Sequence, residues 1–336
     1  MKLLIITQKV NKNDQILGFF HAWLEEFSEQ VGQLTVICLE EGEYDLPGNV
    51  TVLSLGKERG TSKLQRIILF YKYITKERKN YGHVFVHMNQ IYIILGSLFW
   101  KLMGKKVSLW YAHGSVSYSL RIAEKLADII FTSTEKGFRM KSNKIAIVGQ
   151  GIDANHFIPR EIKPEKVDKI HVLTVGRISA VKNIATSIEL LKNNENIILH
   201  LVGDAVTDKD VVYKESCINL INELDVAERV VWHGVVPYSK LPEMYKGAEV
   251  FINLSKTGSL DKTILEALSS MLLVVTCNDA AKGIPGVVSV DLSNQAEIID
   301  AIMLDASSDV AVAARKNIID NYSLPGLINK ITKKLL

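Results

Sequence analysis

Three short stretches combine residue types that can hold an anion or a polyol. In the first, Val175-Gly176-Arg177-Ile178-Ser179-Ala180-Val181-Lys182-Asn183, an apolar strand ends at Gly176 and a helix follows. Arg177 and Lys182 then stand near a helix N-terminus, where free N–H groups and the helix dipole favour negative charge. Arg offers a planar fork and Lys a point charge, so the pair suits a diphosphate. The bland alternative is a solvated loop with two surface cations. The second stretch, Ser255 to Leu268, repeats the strand-to-helix change. Gly258 permits close backbone approach, and the N–H groups near Ser259 and Leu260 can meet phosphate or sugar oxygens. Asp261 lies in the first turn. Glu266 lies in the apolar run ILEAL, and a carboxylate on a buried helix face needs a partner. A ribose diol supplies two hydroxyl donors. The alternative is a capped helix with Glu266 in water. The third, Trp110-Tyr111-Ala112-His113-Gly114-Ser115, puts His113 at a strand end, where imidazole can donate to and accept from hydroxyls; a histidine bonded to a nearby carbonyl is the plainer reading.

Other patterns argue against competing classes. There is no Gly-x-x-x-x-Gly-Lys-Ser/Thr, no Gly-x-Gly-x-x-Gly and no Gly-x-Ser-x-Gly, so neither a nucleotide P-loop, a dinucleotide fingerprint nor a hydrolase elbow is expected. Asp208-Lys209-Asp210 has a metal-binding spacing, but it immediately precedes a helical pattern, where acids serve the dipole. No metal and no cofactor are expected.

Strands alternate with helices along the whole chain, which implies parallel β-α-β units and doubly wound sheets. Strands are expected at 2–7, 34–39, 50–55, 83–88, 106–113, 127–134 and 144–149, then at 171–176, 197–203, 229–234, 248–255, 272–277 and 287–291. Between them, helices are expected after Asp14 and at 62–80, 91–103, 119–127, 181–193, 209–224, 238–247, 261–270 and 295–306. The charged, proline-containing segment 158–169 reads as a linker between a domain of residues 1–157 and one of residues 170–321, and the amphipathic stretch at 322–336 as a helix that packs back on the first. Two such sheets are expected to face one another across a cleft at their carboxyl edges, where open α/β sheets take ligands.

The chain has 336 residues, 47% hydrophobic and 23% charged, with mean hydropathy +0.12, all ordinary for a globular protein with extensive buried parallel sheet. Net charge is +3, but residues 1–160 carry 21 basic and 14 acidic side chains, and the remainder 19 and 23. The basic excess suits an anionic membrane face better than nucleic acid, for which it is too small. Within 62–80, Phe70, Tyr71 and Tyr73 stand among Lys72, Lys76, Arg78 and Lys79, fitting a membrane-borne acceptor, with a core helix bearing a solvated basic face as the alternative. Cys38, Cys217 and Cys277 follow no ligand spacing and read as reduced thiols. MKLLIITQKV is too short for a signal peptide, and IYIILGSLFW (91–100) reads as a core helix rather than a span. A cytoplasmic protein, peripheral at the inner membrane face, is expected.

Taken in order, these signals resemble the retaining glycosyltransferases of family 4, which have the GT-B fold of two Rossmann-like domains. The resemblance spans nearly the whole chain. Gly176, Arg177 and Lys182 are similar to the family's donor-diphosphate loop. Leu201-Val202-Gly203-Asp204 resembles its next strand and turn. His233-Gly234 with Val235-Val236-Pro237-Tyr238 resembles the turn whose backbone meets the base, at Val236. Glu266 matches the glutamate that binds ribose, and His113 the histidine near the donor sugar. Gly149-Gln150-Gly151-Ile152-Asp153 matches the turn before the linker. The family's first glutamate, eight positions before Glu266, is replaced by Gly258, so Asp261 or the amides of Gly258 to Leu260 are the candidates for its role. The family's glycine-rich N-terminal loop is reduced to Gly18. The resemblance implies transfer of a sugar from a nucleotide-diphosphate donor to a glycan or lipid-linked acceptor with retention of configuration, without a metal, in cell-surface polysaccharide or glycolipid synthesis. Arg177, Lys182, His113 and Asp261 would act at the reacting centre, and domain closure would exclude water. The alternative that the missing glutamate suggests is a non-catalytic nucleotide-sugar binder or a partner subunit of a transferase. A nucleotide-sugar epimerase on the same fold would need more paired acids and bases than are seen.

Overall fold

The computed structural model describes residues 1–160, 168–256, 258–304 and 308–336. They divide into two units, one of Met1–Gly151 with Leu324–Leu336, the other of Ile152–Ser323. The division falls at Gly151/Ile152 rather than at residue 157, and residues 161–167 of the anticipated linker lie outside the described residues.

The first unit is built on seven strands: β1 (Lys2–Val10), β2 (Gln33–Glu41), β3 (Val50–Ser54), β4 (His83–His87), β5 (Lys106–Trp110), β6 (Ile129–Thr132) and β7 (Ile145–Ile147). They pair in parallel in the order β3-β2-β1-β4-β5-β6-β7. Alternate residues of β1 point to opposite faces. Leu3 and Ile5 join one core with helices α1 (Phe19–Gln30) and α11 (Leu324–Leu335). Leu4 and Ile6 join a second core with α2 (Lys63–Lys76), α3 (Ile91–Leu102) and α4 (Tyr118–Leu126). Burial on both faces is why β1 reads as an unbroken apolar run. The C-terminal helix α11 buries Leu324, Leu327, Ile328, Ile331 and Leu335 along one stripe, and Thr332 Oγ1 donates to Gln30 Oε1 of α1 at 2.8 Å. Each such buried aliphatic side chain contributes about 1.5–3 kcal/mol.

The second unit has β8 (Ile170–Val175), β9 (Ile197–Val202), β10 (Val230–Gly234), β11 (Val250–Asn253), β12 (Leu273–Thr276) and β13 (Val287–Ser289). They also run parallel, in the order β10-β9-β8-β11-β12-β13. Helices α5 (Ile184–Glu189), α6 (Asp208–Glu223), α7 (Leu241–Lys246), α8 (Lys262–Ser269), α9 (Gln295–Ile302) and α10 (Ser308–Asn321) cover its faces.

Two local expectations are corrected, and one helix was not expected. Asp14 does not cap α1: its Oδ1 accepts from the N–H groups of Ile16 and Leu17 at 2.9 and 2.8 Å, closing a turn before the helix, which starts at Phe19. The helix expected at 181–193 starts only at Ile184, because Asn183 is left-handed (φ 51°) and a single 3-10 turn, Ala180–Lys182, precedes it. α3 packs into the second core through Tyr92, Ile93 and Trp100, as a core helix does, while Leu98 and Leu102 on its other side are 71% and 80% exposed. Helix α10 was not foreseen. Its buried residues are Ala311, Ala314 and Ile318, too small a stripe to stand out, and it is held by Arg315, which donates to the carbonyls of Ala154, Phe157 and Ser269. Among the described residues, no helix is long and apolar enough to cross a membrane.

Candidate functional site

In the second unit the chain runs outward from β8 through β9 to β10, then returns to start β11 beside β8. The loops after β8 and β11 therefore leave neighbouring strands in opposite directions, which opens a crevice at the carboxyl edge of the sheet. The two anion-binding signals of the sequence are these two loops. Gly176, at the end of β8, has φ 146°, and a Cβ there would lie 3.6 Å from Lys182 Cε. Asn183 ties the loops together, donating from Nδ2 to the Leu254 carbonyl at 2.6 Å. Lys182 reaches across: its Nζ donates to Asp261 Oδ2 at 2.7 Å. The same oxygen accepts from Asn253 Nδ2 at 2.9 Å. Arg177 is exposed, with Nε 3.7 Å from Asp210 Oδ2.

Helix α8 presents its N-terminus here. Asp261 is the N-cap residue, but its side chain makes no capping bond. Gly258 turns the loop with φ 78°, the Ser259 carbonyl accepts from Asn278 Nδ2 at 2.8 Å, and Leu260 is buried. Thr257 lies outside the described residues. The buried hydroxyls of Ser255 and Thr263 have no hydrogen-bond partner among the described residues. Buried polar atoms are rarely left so unless a ligand or water completes them.

One turn into α8, Glu266 is 4% exposed. Burial pushes its carboxyl up to about 7, against the pull of Tyr245, whose Oη donates to Oε2 at 2.8 Å, and of Lys262 one turn earlier. Burial likewise pushes the Lys262 ammonium down to about 7, opposed by Glu266. Tyr245 and Tyr238, both close to this carboxylate, have phenols raised well above their ordinary value by burial. Glu266 thus points into the fold among polar partners and not into water, as the alternative reading had it. Val236, in the turn after β10, is half-buried against the core that includes Leu265 and Tyr245.

Asp210 is the third residue of α6 and forms a capping box with Thr207, accepting from the Thr207 N–H and hydroxyl at 3.0 and 2.8 Å. The Asp-x-Asp spacing is therefore that of a helix start. His233, before the Gly234 turn, ends a line of three imidazoles on adjacent strands: His171 Nδ1 is 2.8 Å from His200 Nε2, and His200 Nδ1 is 2.9 Å from His233 Nε2.

Gly18 and His113 belong to the first unit. Gly18 is a buried N-cap residue in ordinary right-handed conformation (φ −55°), so the backbone there does not require glycine. His113 follows β5 and is exposed; its Nδ1 accepts from the Ser115 N–H at 3.0 Å, a bond that places the proton of the neutral ring on Nε2. Asn253, Lys262 and Tyr245 were not singled out from the sequence. Asn253 left a trace, as an asparagine closing an otherwise apolar strand. Lys262 left one too, four positions before Glu266 on the same helix; Tyr245 left none, because it meets Glu266 only in the folded unit.

Residues 157–299 match the model of the family described as glycosyl transferases group 1. Sulfoquinovosyl transferase SQD2 of Arabidopsis thaliana is 28% identical over 162 residues, 45% of this chain and 29% of its own. Alpha-monoglucosyldiacylglycerol synthase of Streptococcus pneumoniae is 27% identical over 148 residues, 40% of this chain and 32% of its own. The match thus spans about a third of the length of these curated relatives. Among solved structures, Anabaena HepE in complex with UDP-glucose has TM-score 0.78 at 14% identity, covering 100% of this chain and 99% of that one. Sucrose-phosphate synthase of Thermosynechococcus elongatus has TM-score 0.78 at 12% identity, covering 99% and 98%. The class is therefore set: two Rossmann-like parallel-sheet domains of the GT-B glycosyltransferase fold, the second carrying the stretch that matches group 1.

Proposed function

We propose that this chain transfers a glycosyl group from a nucleotide-diphosphate sugar to a glycan or lipid-linked acceptor, with retention and without a metal ion. The observation that carries the reading is the meeting of Lys182 with the uncapped N-terminus of α8 at the switch point between β8 and β11. A departing diphosphate develops charge, and preorganised cations and N–H groups stabilise it without reorganisation. Arg177 and Lys182 supply that charge in place of a metal. The orphan hydroxyls of Ser255 and Thr263 suit phosphate or sugar oxygens. The buried Glu266 carboxylate suits the ribose diol, and the Val236 turn suits the base. The first unit is proposed to take the acceptor, with the Nε2–H of His113 as a hydroxyl ligand and Gly18 in the loop after β1.

The acceptor class draws support from the two relatives, a sulfoquinovosyl transferase and a glucosyldiacylglycerol synthase, and the donor class from neighbours holding UDP and UDP-glucose. A peripheral contact with anionic membrane is favoured by α2. It exposes Leu64, Ile68 and Tyr71 on one face, flanked by exposed Lys63, Lys72 and Lys76, while Phe70 is buried. On this reading the work is cell-surface polysaccharide or glycolipid synthesis at the cytoplasmic face.

Gly258, in place of a glutamate, favours a second reading: a nucleotide-sugar binder without turnover, or a partner subunit. One experiment separates them. A panel of nucleotide sugars and acceptors is assayed with the wild type and with Arg177→Ala/Lys182→Ala. The transferase reading expects turnover of one donor and its fall by about a hundredfold or more in the double variant. Near wild-type turnover in that variant refutes the mechanism, and binding without any turnover selects the second reading.

A further inference from the structure

Asp261 is held by two unequal partners. Asn253 closes β11 and is 4% exposed. Its Oδ1 accepts from the Ser255 N–H at 3.1 Å, and its carbonyl accepts from Thr276 Oγ1 at 2.6 Å, so the amide that grips Asp261 is fixed to the sheet. Lys182 grips the same oxygen from the end of a flexible four-carbon stem, with its side chain 23% exposed. One bond is rigid and the other can be exchanged.

A diphosphate at this switch point carries more charge than one carboxylate and several acceptor oxygens, so it competes with Asp261 for the ammonium. When Lys182 changes partner, Asp261 stays in place on Asn253 but loses a donor. A partly buried carboxylate oxygen so uncovered is costly until another donor arrives. A hydroxyl of whatever is attached to the diphosphate can supply that donor.

We infer that Lys182, Asp261 and Asn253 form an exchange latch. The diphosphate takes Lys182, and the carboxylate thereby released, positioned by Asn253, accepts a hydroxyl of the donor sugar. Asp261 is then a specificity-determining residue and Asn253 its positioning residue. The latch rests on the diphosphate reading above. It makes recognition of the sugar conditional on the phosphate, and it opposes the nucleoside diphosphate product, which has lost the transferred sugar and its hydroxyls.

The test is calorimetric titration of the full chain with inorganic pyrophosphate, alongside turnover on the nucleotide sugar that the wild type uses. A partly exposed ion pair biases an equilibrium about fivefold, and a ligand that must first open it loses affinity by that factor. Asp261→Asn is expected to bind pyrophosphate about fivefold more tightly than the wild type and to turn over the nucleotide sugar more slowly. A group with a purely structural role would not move the two in opposite directions. Asp261→Ser, which places a residue favoured at a helix N-cap at the start of α8, is expected to behave the same way and guards against misfolding of the first variant. Pyrophosphate binding that is unchanged or weaker in both variants, while Lys182→Ala weakens it in the wild type, overturns the latch alone. Pyrophosphate binding indifferent to Lys182→Ala overturns the diphosphate reading and the latch with it.

Discussion

The line of histidines across β8, β9 and β10 makes the stability of the second unit depend on pH in a calculable way. The rings lie nearly edge to edge, with centroids 5.1 and 5.2 Å apart and planes inclined by 34° and 21°. Each of the two contacts has room for one proton. The line can therefore take up one proton beyond neutrality, but with two of its rings charged some contact must face N–H against N–H. Burial, then repulsion by His171 and His233, lowers His200 from 6.5 to about 4. The folded value lies below the unfolded one, so between these values the unfolded chain binds the extra proton. Stability from this group is whole above pH 6.5 and is lost as pH falls toward 4. At about 1.4 kcal/mol per pKa unit the ceiling is roughly 3 kcal/mol. His200 is partly exposed, and about 2 kcal/mol is a fairer figure after screening. The assay is urea unfolding of the wild type and of His200→Gln at pH 7 and pH 4.5. The wild type should lose about 2 kcal/mol more than the variant between those values, since carboxylate titration is common to both. Parallel losses would show that the line carries no proton-linked stability. The consequence reaches the site, because β10 ends at Gly234 (φ 64°), whose turn leads to Val236 and Tyr238.

Two further predictions concern separate parts of the ligand and the surface. Glu266→Gln should weaken binding of a nucleoside diphosphate about tenfold while leaving inorganic pyrophosphate unchanged, because a ribose diol needs two acceptor oxygens and a carboxamide has one; equal effects on both, by calorimetry, would detach Glu266 from ribose. Leu64→Glu/Ile68→Glu on the exposed face of α2 should abolish co-sedimentation with vesicles of anionic lipid at low salt, since two apolar contacts of about 1.5 kcal/mol each and part of the basic attraction go together; unchanged co-sedimentation would remove α2 from the membrane contact.

The central strands of both sheets were legible because a strand buried on both faces is an apolar run bounded by turn residues, as KLLIIT and VVT show, and the partly buried edge strands β3, β7, β10 and β13 were legible because they too are short apolar runs. Helices were legible in proportion to their apolar stripe. The stripe of α11 is built of Leu and Ile and is visible; that of α10 is built mainly of Ala and is not. Helix starts were the weakest element, since one backbone angle at Asn183 moved the start of α5 by three residues.

The candidate site was legible as a list of residues and not as an arrangement. Lys182 and Asp261 are 79 positions apart, and Asn253 and Asp261 are eight apart on a strand and the helix that follows. What brings them to one oxygen is the order β9-β8-β11-β12, which depends on where the chain turns back across the sheet, and no local pattern encodes that. The same order explains why an asparagine is tolerated at the end of β11. An apolar residue there would leave Asp261 with Lys182 as its remaining side-chain partner in this cluster, so any ligand that drew the lysine away would strand a partly buried charge. Asn253 removes that penalty by supplying a neutral donor fixed to the sheet, and its own carbonyl and Oδ1 are already satisfied by Thr276 and Ser255. On the proposed reading, the asparagine is the residue that would let a lysine be shared between a carboxylate and a phosphate, and its place at a strand end would follow from the chemistry of its neighbours rather than from strand propensity.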